Sequence, residues 1–238
     1  MIPIRRISFT TSPDRRAALV EQAKALYSAF SGAPASKDLD RINRMDRINA
    51  SNPVNPVNPV QTVTSISAAP DSLKILEFIG ARLSAAPEES DAVHDLLAYL
   101  AERMIEMNKE KNGEIKSFLD FLKGEIGVSV EDLSNKTAIQ EYYSHEFQNL
   151  IDVLVKNKKK LKAGYDPKSP SNYKHLQQWY NDSTGKLKPL MGRIEATDGL
   201  IDQIVYKLYG LTDDEIKIVE ESTSGEKNAK SSKTENTD

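Results

Sequence analysis

The stretch from Asp91 to Gly127 constrains the fold more than any other. Val93, Leu96, Leu97, Leu100, Met104, Met107, Ile115, Phe118, Leu119, Leu122 and Ile126 follow one another mostly at steps of three and four. That spacing lays a single apolar stripe along a helix whose other faces carry Glu102, Arg103, Glu106, Lys109, Glu110, Lys111, Glu114, Lys116 and Lys123. Ser90 or Asp91 supplies a capping side chain after Pro87, and Gly124 and Gly127 mark the exit. A helix of about 35 residues is ~50 Å long, so it needs apolar partners from elsewhere in the chain. The best partner runs from Gly185 to Tyr209, where Leu187, Leu190, Met191, Ile194, Leu200, Ile201, Ile204, Val205 and Leu208 keep helical spacing through an expected kink at Pro189. The expected fold is therefore mainly α: a long antiparallel helical hairpin with shorter helices, one short N-terminal strand, a disordered linker and a disordered C-terminal tail.

The remaining segments divide the chain. Ile2, Ile4, Ile7 and Phe9 around Arg5 and Arg6 read as a short strand without a partner, so its sheet is expected to come from elsewhere. A helix with Pro13 at its first position follows, capped by Thr11 or Ser12, with Leu19, Val20, Ala23, Leu26, Tyr27 and Phe30 on its apolar side. Residues 1–35 form the first segment. From 36 to 70 the chain repeats itself: Asp40-Arg-Ile-Asn returns at Asp46, and Asn52, Asn55 and Asn58 each open an Asn-Pro-Val triplet. Proline at every third position forbids a helix and makes this an extended, low-complexity linker. Residues 71–221 form the helical module. It includes short helices at Leu73–Leu83, near Ser129 and over Thr137–Tyr143, and an amphipathic helix from Phe147 to Leu161. Thr212-Asp-Asp-Glu215 is a capping box that starts a final helix, and residues 222–238 are a polar tail expected to be disordered.

Composition removes several classes of function. The 238 residues contain no cysteine, which excludes disulfides, thiolate metal sites and cysteine nucleophiles and fits a cytoplasmic location. No apolar run spans a bilayer and Met1–Phe9 lacks a secretory core, so no membrane partner is expected. A net charge of -3 confines any DNA contact to local patches. Candidate phosphate contacts are Arg5, Arg6 and the cluster Lys156, Lys158, Lys159, Lys160 and Lys162, with Tyr165, Tyr173, Trp179 and Tyr180 nearby as stacking groups or core aromatics. Glu114-Ile-Lys116 and Glu215-Ile-Lys217 match half of a metal-dependent nuclease motif, but both fall on helices, where such pairs are ordinary solvated residues. His94, His145 and His175 lack ligand spacing.

Three segments carry a family likeness. Asp95-Leu-Leu-Ala-Tyr-Leu-Ala-Glu-Arg-Met-Ile-Glu-Met-Asn-Lys-Glu-Lys111, Phe118-Leu-Asp-Phe-Leu-Lys-Gly-Glu-Ile126 and Ile201-Asp-Gln-Ile-Val-Tyr-Lys-Leu-Tyr-Gly-Leu-Thr-Asp-Asp-Glu-Ile-Lys-Ile-Val-Glu220 resemble the C-terminal region of large adenine-specific DNA methyltransferases of fused restriction–modification systems. Ile2-Pro-Ile-Arg-Arg-Ile-Ser-Phe-Thr-Thr11 is similar to the place where that family's target-recognition domain gives way to its helical tail. The resemblance implies a site-specific DNA enzyme as parent, S-adenosylmethionine as the parent's cofactor, DNA as a weak partner, and a methylase or recognition subunit, such as the product of an upstream gene, as protein partner. The motifs that transfer the methyl group are missing from this chain. There is no glycine-rich turn for the cofactor, and each Asn-Pro pair is followed by valine where the family's loop has a second proline and an aromatic residue. The expectation is a non-catalytic segment, with no cofactor, metal or catalytic residue of its own. The other reading of the same pattern is a stand-alone helical protein-interaction module.

Overall fold

A computed structural model describes residues 6–31 and 71–231. Arg5 and the linker of residues 36–70 lie outside the described residues. Seven α-helices occur among those described: α1 Pro13–Ser31, α2 Asp71–Leu83, α3 Ser90–Ile126, α4 Lys136–Gln140, α5 Phe147–Lys156, α6 Pro170–Tyr209 and α7 Asp213–Ser231. Short 3₁₀ turns at Val130–Asp132, Tyr142–Ser144 and Lys158–Lys160 join the middle ones. The fold is mainly α. No strand forms among the described residues: 6–10, the described part of the expected N-terminal strand, have no regular structure. An isolated strand leaves its backbone groups without a ladder partner.

The described residues form two compact units. The first comprises 6–31, 71–100 and 198–231, and the second 101–197, so α3 and α6 each contribute to both. In the first unit the core is Ala23 and Tyr27 of α1, Ile75, Leu76 and Ile79 of α2, Val93, Leu96 and Leu100 of α3, and Leu200, Ile204 and Leu208 of α6. In the second it is Phe118, Leu122 and Ile126 of α3, Ile139, Tyr142, Leu150, Ile151, Val153 and Leu154 of the middle elements, and Leu176, Tyr180 and Leu187 of α6. The stripe that periodicity assigns to α3 is thus buried in both cores, at about 1.5–3 kcal/mol for each fully buried large side chain. Within the second unit α3 and α6 run antiparallel. Glu114 pairs with Lys186, Phe121 stacks on Trp179 and Glu125 pairs with His175, so α6 descends by as many residues as α3 rises.

The ends of the helices are set by local chemistry. Gly127 ends α3 at φ 76°, a left-handed conformation that costs other residues. Gly210, at φ 63°, ends α6 in a Schellman turn, with Leu211 N–H donating to Tyr206 C=O at 3.0 Å and Gly210 N–H to Lys207 C=O at 3.1 Å. The expected capping box follows. Thr212 N–H donates to Glu215 Oε2 at 2.8 Å, and Glu215 N–H returns to Thr212 Oγ1 at 3.4 Å.

Three sequence expectations are corrected here. The helix expected from Gly185 to Tyr209 begins already at Pro170 and runs for 40 residues, and it continues past Pro189, which removes a single backbone donor, because the flanking turns bury Leu187 and Leu190. The amphipathic helix starting at Phe147 stops at Lys156, and Lys158, Lys159 and Lys160 lie on a 3₁₀ turn rather than a helical end. Beyond Glu221, α7 continues to Ser231 through residues expected to be disordered.

Candidate functional site

The lysine cluster of the second unit is organised by a residue that is not a lysine. Asn157, just past α5, is buried and spends its whole side chain on backbone. Its Oδ1 accepts from Ser134 N–H at 2.8 Å, and its Nδ2 donates to Ser134 C=O at 3.0 Å and Val153 C=O at 2.9 Å. A buried amide with all these groups satisfied fixes the turn, since leaving any of them unpaired costs a desolvation penalty. The far side is pinned by Lys162 N–H donating to Ile126 C=O at 2.8 Å, where Gly127 leaves room for the Lys162 side chain.

The five lysines on this turn are not equivalent. Lys158 pairs with Asp166 at 3.2 Å, and the Lys168 N–H, followed by Lys158, holds the Asp166 carboxyl below the usual carboxylate range. Lys160 donates to Asp132 C=O at 2.8 Å, and the Lys162 ammonium lies 5.3 Å from the Tyr165 ring centroid. Lys156 and Lys159 are exposed and have no partner among the described residues. These two are the cations left to meet an outside anion. Arg6, in the first unit, is exposed and likewise without a partner among the described residues.

Most of the neighbouring aromatics are structural. Tyr165 and Tyr180 are buried, and Tyr173 is half-buried against Phe147. The Tyr180 hydroxyl donates to His145 C=O, and the buried Tyr142 hydroxyl bonds the Ser183 hydroxyl. Burial pushes the hydroxyls of Tyr142 and Tyr165 up to about 12. Trp179 is the exception: 40% exposed, it stacks on Phe121 with ring centroids 4.0 Å apart.

The half-motifs and histidines fall into ordinary roles. Glu114 pairs with Lys186, Glu215 caps α7 and Lys217 pairs with Glu221. His94 meets Asp95 and the edge of Phe9, and His175 meets Glu125 and the edge of Phe121. Among the described residues no group of three or more His, Asp or Glu side chains is placed to hold a metal ion. No described helix is long and apolar enough to cross a membrane.

A second polar cluster, in the first unit, escapes the sequence reading. Asp91 is fully buried. Its carboxylate accepts from Thr11 Oγ1 at 2.6 Å, Thr11 N–H at 2.8 Å and Ala92 N–H at 2.9 Å. Burial pushes its carboxyl up, but these hydrogen bonds and the Arg16 charge outweigh it and hold the group below the usual carboxylate range. Glu89, also buried, sits between Arg15 and Arg82. Thr11, expected as a helix cap, therefore serves Asp91 instead. Only Asp91 lying close to a predicted helix start hinted at the cluster, and Thr11 is 80 residues away.

Fold and site together describe a mainly helical protein that carries a lysine turn held by backbone and Asn157 hydrogen bonds. A family model described as a domain of unknown function (DUF8810) matches residues 90–205, just under half of the chain. The match opens on the first residue of α3 and closes within the last turn or so of α6. No curated protein and no solved structure matches the chain.

Proposed function

We propose that this chain is the non-catalytic, C-terminal helical segment of a site-specific adenine DNA methyltransferase from a restriction–modification system, acting there as a scaffold that touches the DNA backbone through the lysine turn. The observation that carries the backbone contact is the turn itself: Asn157 and the Lys162–Ile126 hydrogen bond hold it in place, and Lys156 and Lys159 beside it are exposed with no partner among the described residues. Because the backbone of the turn is already held, meeting phosphate orders only the two lysine side chains, and ammonium-to-phosphate contacts position a protein on DNA rather than read its bases. Methyl transfer belongs to the rest of that enzyme, whose cofactor turn and Asn-Pro-Pro-aromatic loop are missing from this sequence. The family likeness rests on segments 95–111, 118–126 and 201–220, which lie on α3, α6 and α7.

The test combines a pull-down of the chain with the upstream gene product and a methylation assay with and without it. Association and methylation that depends on this chain are expected. DNA binding by the complex should weaken with salt, and replacing Lys156 and Lys159 by Gln should flatten the plot of log affinity against log salt by up to about two contacts, at ~0.9 per phosphate. An unchanged slope refutes the backbone contact.

The alternative, a stand-alone helical interaction module, is favoured by one feature: the exposed Trp179 stacked on Phe121 offers an aromatic surface that a partner helix could bury. A chain that stays folded, ignores DNA and leaves methylation untouched supports this second reading.

A further inference from the structure

The core of the second unit is closed by one continuous length of chain. Its buried members run from Phe118 to Leu187, and the half-buried side chains packed against them, Ile115 and Tyr173 included, fall within 115–187 as well. The polar ties keep to nearly the same bounds. Glu114 pairs with Lys186, the Tyr142 hydroxyl bonds the Ser183 hydroxyl, Asn157 clasps Ser134, and Lys162 N–H closes on Ile126 C=O. The first core is assembled differently, from four helices in three separate stretches of chain, 23–27, 75–100 and 200–208. Residues 90–205, the span that the family model matches, hold all of the second core but leave Ala23, Tyr27, Ile75, Leu76, Ile79 and Leu208 of the first outside.

The two helices that serve both units have weak places in the sequence between the two cores. From 101 to 117, α3 buries Met107 alone, and this stretch holds Asn108, Asn112 and Gly113, which are poor helix formers. The Asn108 amide also donates to Met104 C=O at 2.9 Å, a local bond that competes with the helix. In α6, Pro189 comes two residues after Leu187, and Gly192 and Gly199 precede Leu200. Either helix can therefore end between the cores without dismantling the second one. We infer that the second unit is a self-sufficient folding module, which keeps its core and its lysine turn in place while the first unit opens. The span 115–187 exceeds the roughly 55–65 residues at which many single domains fold alone. Opening of the first unit is then sub-global unfolding, in which one contiguous set of contacts is lost and another is kept.

Hydrogen exchange on the full chain, followed by mass spectrometry, tests the module. Ile79 is fully buried, and Ile79→Asp sets a carboxylate in the apolar first core, which should strip protection from peptides within 71–83 and 91–100. Ile75→Ala, a milder cut in the same core, should speed the same peptides by about thirtyfold or more. In both variants peptides within 118–187 should keep their wild-type rates, including those that carry the Ser134 and Lys162 amides of the lysine turn. Loss of protection in 118–187 together with 71–100 would show that the second unit depends on the first. Unchanged exchange in 71–100 in both variants would show that the first core does not open by itself, and either result overturns the inference. Should Ile79→Asp yield no soluble chain, Ile75→Ala carries the same comparison.

Discussion

At the scale of single residues, this chain relies on positions whose importance is backbone geometry. Gly127 stands at φ 76°, and a Cβ there would lie 2.7 Å from the Lys162 Cβ, closer than any real contact tolerates. Left-handed backbone alone costs an ordinary residue about 1–2 kcal/mol, and the Lys162 segment cannot simply retreat, because its N–H is bonded to Ile126 C=O. Gly127→Ala is therefore expected to destabilise the second unit by about 2–3 kcal/mol in urea unfolding. A cost within experimental error would mean that the turn can move. The glycine was legible in the sequence as a helix stop; its closeness to Lys162 was not. Asn157 is the sharper case. In sequence it is one polar residue in a lysine run, and only the fold, which brings Ser134 beside it, makes it the anchor of the candidate site.

At the scale of elements, local signals were read well where the physics is local. The apolar period of α3, the Gly210 stop and the Thr212–Glu215 capping box all depend on residues within a turn or two of one another. They appear in the structure as the spacing implies. Helix α6 departs from this because its continuity is not decided locally. Proline inside a helix loses one hydrogen bond and crowds the preceding turn at a cost of about 3 kcal/mol. Here the turns on either side bury Leu187 and Leu190, which keeps the helix whole across an exposed Pro189. Pro189→Ala restores the missing donor without touching the core and should raise stability by about 1–3 kcal/mol, measured by denaturant midpoint at unchanged slope. A destabilised variant would mean that the proline shapes α6 in a way the core requires.

At the scale of the whole molecule, aromatic burial sets an alkaline limit on stability. Tyr142 and Tyr165 keep their protons to about pH 12 in the fold, whereas an unfolded tyrosine releases its proton near pH 10. The folded chain thus binds more protons than the unfolded chain between those values. The contribution is fully present below pH 10 and is lost as pH rises toward 12. Unfolding free energy measured from pH 8 to 11.5 should be flat at first and then fall, and Tyr142→Phe should make the fall shallower. A profile that stays flat to pH 11.5 would mean that these hydroxyls reach water. By itself the sequence determined that the chain is mainly helical, where its two longest apolar stripes lie, how several helices end and which lysines cluster, because each rests on spacing within a few residues. The tertiary structure alone decided which of those lysines have a partner among the described residues, that Asn157 holds their turn and that Asp91 answers Thr11. The Asn157–Ser134, Lys160–Asp132 and Asp91–Thr11 hydrogen bonds span 23, 28 and 80 positions, and no periodicity encodes contacts of that range.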